Sequence, residues 1–592
     1  MQEPEKYYTQ KLDASEKELE KLKKQLALGS AARLFFFLLM SYAIYHLFHE
    51  FQLGWLFLFT GSFACFLGMI SWYVNIKNKI DYQLQLNALF KNELAQLNGP
   101  NLLFDAGNIF DDGTGFWSDL DLFGNGSLYQ KINRTVTEYG HHALADQFKN
   151  NLLEKDSILE QQEAIQIYSK QMPIVESVVA TALLYKTEYV SFDALFNWLN
   201  TPNFLHQSKW AKFVRYALPL LNLTLITLVF VLGNNSLLAI AFILGWFQIA
   251  VYAKYFQSDF NLLGKKETIL KQYAHILHQF EKIDTGNSSI LKTYQNTSAE
   301  AHAAIDDLSK ISSRIDQRLN LFLITIVNPI FLYDIQNMFA LESWKMKHQE
   351  NLPNWIKLVG EIEKLNSYAF YAFNNPSNVY PVVLNKPMQI IAAGLSHPLI
   401  AKDKSVDNDI TVGVDNKLLL ITGSNMSGKT TFLRTVGVNL ILAQIGLPVA
   451  AKSFSFSPMQ IFSSIRISDS LQESTSYFMA ELKKLSAIKK GVQISSSSLV
   501  LIDEILRGTN SEDKYFGSAQ FVKEMIALNA ITLFATHDLK LSELETEFPD
   551  KVSNYCFESV IENDELLFGY KIQRGVAKNR NASFLMKKMG II

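Results

Sequence analysis

No charged residue occurs in residues 216–253, and the one turn-forming stretch inside that run is Gly233, Asn234, Asn235 and Ser236 at its middle. Such a run has few ways to fold. A helix needs about 20 mostly apolar residues to cross the hydrocarbon core of a bilayer, and the turn divides the run into two halves of nearly that length, so it reads as a helical hairpin that enters a membrane and returns. A similar pair lies near the N-terminus, where residues 34–49 and 51–76 are uncharged, counting His as neutral, and are parted by Glu50 and the stretch around Gly54. The first of these is short unless its boundaries slide. The ordinary alternative for either pair is a buried helix pair inside a large soluble body.

Lysines and arginines set the direction of both hairpins. Lys21, Lys23, Lys24 and Arg33 precede the first and Lys77 and Lys79 follow it; Lys209, Lys212 and Arg215 precede the second and Lys254, Lys265 and Lys266 follow it. Neither connecting loop carries a Lys or Arg, so both hairpins should enter from and return to the cytoplasmic side. The expected localisation is the cytoplasmic (inner) membrane, multi-pass, with both termini in the cytoplasm. A cleavable signal peptide is not expected, because charged residues fill the stretch ahead of Leu34 and no small-residue cleavage pattern follows. A fifth apolar stretch, residues 319–333, is shorter and contains Pro329; it is read as a buried core helix or loop, with membrane contact as the lesser alternative.

With 592 residues the chain has room for three or more domains. A formal net charge of −2 gives no bulk basicity, so any nucleic-acid surface has to be local. Cys65 and Cys556 are far apart in sequence and suggest neither a disulfide framework nor a zinc site. Near the start, Tyr8, Leu12, Ser15, Leu19, Leu22 and Leu26 recur at alternating spacings of four and three, a coiled-coil seam that serves either dimerisation or packing against the core. Residues 495–498 (SSSS) and 284–289 (DTGNSS) read as loop and turn.

The chemistry lies further on. Residues 423–430, GSNMSGKT, follow an apolar stretch and fit the phosphate-loop pattern G, four residues, G-K-[ST]. In such a loop successive backbone N–H groups and a helix N-terminus make a positive concavity for phosphates. Gly423, Ser424, Asn425, Met426, Ser427 and Gly428 would form it, with Thr431 opening the helix; Lys429 would reach the β and γ phosphates of ATP, and Thr430 would offer its hydroxyl to Mg²⁺. Residues 499–504, LVLIDE, are an apolar strand ending in two carboxylates, and in an open α/β sheet that end faces the ligand crevice. Asp503 would hold the Mg²⁺, and Glu504 would orient and deprotonate the attacking water. Residues 531–538, ITLFATHD, are a third strand whose exit carries His537, placed to sense the γ phosphate. A strand ending in Asp-Glu is often only a capped edge and a lone His a loop residue; three motifs in this order, each at a strand end, point to a Mg²⁺-dependent ATP hydrolase.

Residues 469–482, DSLQESTSYFMAEL, together with LIDEILRGTN at 501–510 and FATHD at 534–538, resemble the MutS family of DNA mismatch repair ATPases. That resemblance implies an ABC-type homodimer with composite ATP sites, in which Ser476 of one copy completes the site of the other. It also adds Asn408 to the cofactor-binding set, since Asp407, Asn408 and Asp409 resemble the family's adenine-side segment. Residues 395–398 (LSHP) resemble the start of the ATPase domain, and the stretch from Tyr570 its closing strand and helix. More weakly, residues 119–148 are similar to the opening of the family's helical core and 361–381 to the helix leading into the ATPase. Tyr477, Leu506 and Ser396 depart from the residues common in the family, namely Thr, Gly and Arg. Only 118 residues precede Asp119, with no wedge segment among them, so the resemblance implies ATPase activity but leaves mismatch reading open.

The expected architecture is therefore multidomain, α plus α/β: an amphipathic or coiled-coil helix at 1–30, a transmembrane hairpin at 31–80, a linker at 81–118, a MutS-like helical core at 119–213, a second hairpin at 214–257, the rest of the core and lever at 258–385, and a P-loop ATPase at 386–592. The expected function is a membrane-anchored ATPase that couples nucleotide binding and hydrolysis to a clamp-like movement, with ATP-dependent binding of mismatched, branched or otherwise distorted DNA in repair or recombination. The alternative is a membrane-associated ATPase sensor or scaffold that touches no DNA. An ABC-type transporter is disfavoured by four spans without intramembrane charge and by a signature segment that is not glycine-rich. Candidate DNA contacts are Lys483, Lys484, Lys489 and Lys490, and Arg574, Lys578, Arg580, Lys587 and Lys588, each cluster otherwise a solvated face. A clamp would be sought on the lever between Asp146 and Asn385, an interval the second hairpin interrupts.

Overall fold

The computed structural model describes residues 3–591 apart from 50, 98, 100, 186–191, 264–265, 318–319, 386, 415, 467–476, 507–508, 563–564 and 579–590. It is helical up to Asn374 and α/β beyond.

The first two elements are very long helices, Pro4–His49 and Leu53–Leu97, packed side by side. Two expected boundaries are corrected here. The amphipathic segment and the first apolar run are one unbroken helix, and residues 81–97, expected as linker, continue the second. The seam finds its partner within the chain: Leu19 and Leu22 pack on Ile76 and Ile80, with Leu26 at their edge. Close approach further along depends on Gly29, where a Cβ would lie 1.9 Å from the Trp72 ring. Below this the pair enters the helical core. Ser15 bonds to Asn87, Lys91 pairs with Glu16 at 3.0 Å, and the Tyr8 hydroxyl donates to Asn374 at 2.8 Å.

A buried ion pair locks the second helix to that core. Glu93, fully buried, receives Arg134 Nε and Nη2 at 2.7 and 2.9 Å. The core is organised around Leu352–Asn374, whose Ile356, Val359, Ile362, Tyr368 and Phe370 are fully buried. Its Glu363 accepts from the Val136 and Thr137 N–H groups just ahead of Glu138–Lys149, satisfying donors that a helix start leaves open.

Lys209–Leu232 and Ser236–Leu263 form the second hairpin. Ser208 caps its start by accepting from the Ala211 N–H, and Gly233 closes the first helix at φ 67°, a backbone state that favours glycine. Among the described residues, four helices are long and apolar enough to cross a membrane. Their apolar side chains face outward, Phe48 at 89% and Phe230 at 85% exposure, the reverse of what burial inside a soluble body would give.

The reading of residues 319–333 as core is also corrected. Leu321, Phe322, Ile326 and Phe331 are exposed, and only Asn328, Pro329 and Leu332 are buried. A π-helical turn at Leu323–Val327 runs into Pro329, and the chain turns again at Leu332, φ 54°. The buried side faces the second hairpin: Asn222 donates to the carbonyls of Pro329 and Ile330 at 3.1 and 3.2 Å, and Gly245 is so close that a Cβ would meet the Pro329 carbonyl oxygen at 1.9 Å. Irregular backbone here is satisfied by a hairpin side chain, and the apolar side chains that remain extend the hairpin's outer surface.

Among the described residues ten strands follow: β1 (Val382–Val383), β2 (Ile390–Leu395), β3 (Asn408–Val412), β4 (Leu418–Gly423), β5 (Ser453–Phe456), β6 (Gln460–Ser464), β7 (Ser498–Asp503), β8 (Ile531–Thr536), β9 (Val552–Glu562) and β10 (Glu565–Arg574). They make a four-stranded sheet, β1-β5-β2-β3, and a six-stranded sheet, β10-β9-β4-β8-β7-β6, parallel except for β10. The strands β4, β7 and β8 are buried along their whole length, as near-continuous apolar runs in parallel sheets are.

Candidate functional site

The register of the six-stranded sheet decides what meets. Thr422 on β4 lies opposite Thr536 on β8, and Asp503 on β7 lies opposite Ala535, so the three motif-bearing strands end at one level. The loop after β4 turns through Met426 at φ 67° and Gly428 at φ 105°, and Gly428 caps the helix Lys429–Gln444. Both ends of the loop are tight. A Cβ on Gly423 would lie 2.8 Å from Ser427 Oγ and 3.0 Å from the Phe557 carbonyl, and one on Gly428 would press on the Tyr570 ring at 3.1 Å.

Inside this loop Lys429 donates to the carbonyls of Gly423 and Ser424, each at 2.9 Å, and its Nζ lies 3.5 Å from His537 Nε2. Thr430 donates its hydroxyl to Asp503 Oδ2. Glu504 follows in a left-handed conformation, φ 51°, which a non-glycine residue adopts only when the surroundings impose it. Its carboxylate is held by Lys514 Nζ at 2.6 Å and stands 3.9 Å from His537 Nε2. Burial first, and then the charge of Lys429, lower the affinity of His537 for a proton, which keeps its ring neutral.

These residues suit a phosphate ligand and a divalent cation. The Ser427 hydroxyl is shielded from solvent and has no hydrogen-bond partner in its own surroundings. Gly423 and Gly428 leave space where a Cβ would intrude, and Thr430 and Asp503 bring two oxygen ligands together beside a helix N-terminus.

Of the expected site residues, Gly423, Ser424, Asn425, Met426, Ser427, Gly428, Lys429, Thr430 and Thr431 form the loop and first turn, and Asp503, Glu504 and His537 converge on it. Asn408 lies against the backbone of β10. Its amide donates to the Val406 and Tyr570 carbonyls and accepts from the Ile572 N–H at 2.8 Å, holding the irregular part of β10 where Tyr570 has φ 50°. Ser476 lies outside the described residues, as do Arg507 and Gly508 of the loop after β7. Sequence reading missed Lys514 and the Asp119–Asp121 turn. Asp119 accepts from Ser463 Oγ, the Arg466 N–H and Lys484, while Asp121 pairs with Arg434 of the phosphate-loop helix at 2.6 Å. The start of the helical core is thereby tied to both flanks of the site.

A largely parallel sheet whose strand ends gather a glycine-bounded loop, a lysine and paired carboxylates is an α/β arrangement suited to a phosphate ligand. Residues 419–588 match the family model for MutS domain V, so this part of the chain is similar to a domain of the MutS family. It is 36% identical over 195 residues to MutS protein homolog 4 of Homo sapiens, covering 31% of this chain and 20% of that protein. It is 34% identical over 217 residues to DNA mismatch repair protein MutS of Chlorobaculum parvum (35% and 24%), and 34% over 255 residues to that of Clostridium kluyveri (41% and 29%). The chain thus matches less than a third of these relatives' own length.

Proposed function

We propose that this chain is a membrane-anchored, Mg²⁺-dependent ATPase of the MutS type, in which nucleotide turnover moves a helical body fixed to lipid. The observation that carries the reading is the meeting of Lys429, Thr430, Asp503, Glu504 and His537 at one sheet edge, in a chain with four outward-facing apolar helices. Bound ATP with Mg²⁺ supplies a phosphoryl group open to attack by water. Lys429 would exchange its carbonyl partners for the β and γ phosphates, Thr430 and Asp503 would hold the cation, Glu504 would take a proton from the attacking water, and neutral His537 would donate to a γ oxygen. Ser476 from a second copy closes each site, making the active form a homodimer. Asp119 and Asp121 carry changes at the phosphate-loop helix into the helical core. The proposed domains are the paired helices with the first hairpin at 3–97, the helical core at 101–374 with the second hairpin and residues 321–331 facing lipid, and the ATPase from 382 onward.

The inherited role is ATP-dependent binding of mismatched or branched DNA. A second reading, a membrane sensor or scaffold indifferent to DNA, is favoured by one observation: Lys484 is spent on Asp119 and Lys489 on Glu524, removing two cations from a candidate DNA contact. One experiment separates the two. ATP turnover of the detergent-purified chain is measured alone and with homoduplex, mismatched or branched DNA, beside Glu504→Gln. We expect the variant to bind ATP and lose about 10²–10⁴-fold in turnover. Normal hydrolysis by the variant overturns the catalytic assignment; no DNA binding even at low salt moves the function to the second reading.

A further inference from the structure

The helices Glu267–Phe280 and Ser289–Gln317 run antiparallel, joined by a turn around Gly286. Three donors meet where the first helix ends. His278 and Glu281 are spaced i, i+3, and His302 comes from the facing helix; one ligand atom of each lies within 4.8 Å of the other two. Glu281 stands between the rings, with Oε1 2.6 Å from His278 Nδ1 and Oε2 2.8 Å from His302 Nδ1. The rings themselves are 5.1 Å apart.

From this arrangement we infer a divalent transition-metal site, independent of the nucleotide site, formed by His278, Glu281 and His302. Both Nδ1 atoms are shielded from solvent, and neither makes an aligned hydrogen bond despite its short distance to the carboxylate. A cation seated among the three atoms satisfies all of them at once, which a proton on either ring does not. Two imidazoles and one carboxylate suit Zn²⁺ or a neighbouring first-row ion rather than Mg²⁺ or Ca²⁺, which prefer oxygen ligands throughout. Tetrahedral Zn²⁺ with bonds near 2.1 Å sets its ligand atoms about 3.4 Å apart, so small side-chain rotations suffice. Access is open, because His278 also borders a surface groove with Tyr82, Ser177, Tyr185 and His275. The adjacent cation is directed elsewhere: Lys282 donates to Gln279 at 3.1 Å.

The position gives the site a consequence. Glu267–Phe280 follows the return helix of the second hairpin, and Ser289–Gln317 leads to the exposed apolar residues 321–331. A metal here staples together the two helices that lead to the hydrophobic surface.

The test uses the full chain in detergent, stripped with chelator and titrated with Zn²⁺, with Co²⁺ as a spectroscopic probe. We expect one Zn²⁺ per chain, a visible Co²⁺ absorption of low-coordinate N/O type, and a rise in melting temperature. His302→Gln and Glu281→Gln should each bind more weakly by more than the 10–100-fold that loss of an outer-shell partner costs, while melting like the parent in chelator. Absence of saturable binding, or binding unchanged in both variants, overturns the site. Should a variant melt lower in chelator, His278→Gln and the parent's own Co²⁺ spectrum decide.

Discussion

Replacing Arg134 with Met should cost far more stability than replacing both Arg134 and Glu93. The guanidinium is 1% and the carboxylate 0% exposed, and Nη1 also donates to the carbonyls of Lys131 and Asn133 at 3.1 and 2.8 Å. Removing one member of a buried pair leaves an uncompensated charge, at about 3–5 kcal/mol. Glu93 would keep Asn374 and Gln96 as donors, at 2.8 and 2.6 Å, which soften the loss; the two released carbonyls add to it. The expected loss for Arg134→Met is about 4 kcal/mol. In Arg134→Met/Glu93→Leu no charge is left buried, but the Asn374 and Gln96 amides lose their acceptor and the Lys131 carbonyl its donor, so about 2 kcal/mol should be lost. The assay is denaturant unfolding in detergent followed by tryptophan fluorescence, with the single variants completing the cycle. If Arg134→Met stays within about 1 kcal/mol of the parent, or the double variant is no more stable than the single, the pair is not the lock described here.

Three further outcomes are expected. Burial pushes Glu363 up to about 7 from its ordinary 4.5, against the hydrogen bonds from Thr137 and Val136 that oppose the rise. The folded state therefore holds that proton more tightly; the stabilisation is complete below about pH 4.5 and is lost as pH rises through about 7, about 3 kcal/mol in all. Unfolding of Glu363→Gln at pH 5 and pH 8 should show its difference from the parent change by about 2.5 kcal/mol, and a constant difference would contradict the burial argument. Gly428→Ala, forced to φ 105° against the Tyr570 ring, should weaken ATP affinity about tenfold, from about 1–2 kcal/mol of backbone strain, as read by a fluorescent analogue. Gly245→Leu should lower thermal stability in detergent by about 1–3 kcal/mol because its side chain meets the Pro329 backbone, and an unchanged melting temperature would mean that residues 321–331 do not rest on the hairpin.

Much of the candidate site was legible because its residues are local. A strand end followed by Gly423 to Thr430 fixes the loop, and apolar runs ending at Asp503 and Thr536 fix their own direction in a parallel sheet. Charge-free runs likewise announced the hairpins. Pairings over long sequence distances were hidden. Nothing near Leu19 names Ile80 as its partner, and Asp119 gives no sign that it will meet Ser463 and Lys484. Residues 319–333 misled because apolar content and a proline describe a core segment and a hairpin-bound one equally well. His278, Glu281 and His302 escaped notice because an i, i+3 pair becomes a cluster only when a second helix crosses it.

The unbroken helices Pro4–His49 and Leu53–Leu97 have one more implication for a molecule anchored as proposed. Between Leu12, at the edge of the main core, and Ser30, just ahead of the apolar run, lie about 18 residues, or about 27 Å at 1.5 Å per residue. The catalytic body would ride on a stiff double-stranded mast, clear of the headgroups. A change in bilayer thickness that tilts the buried ends would swing the far ends as a lever does, so the lipid environment itself becomes a mechanical input to the enzyme.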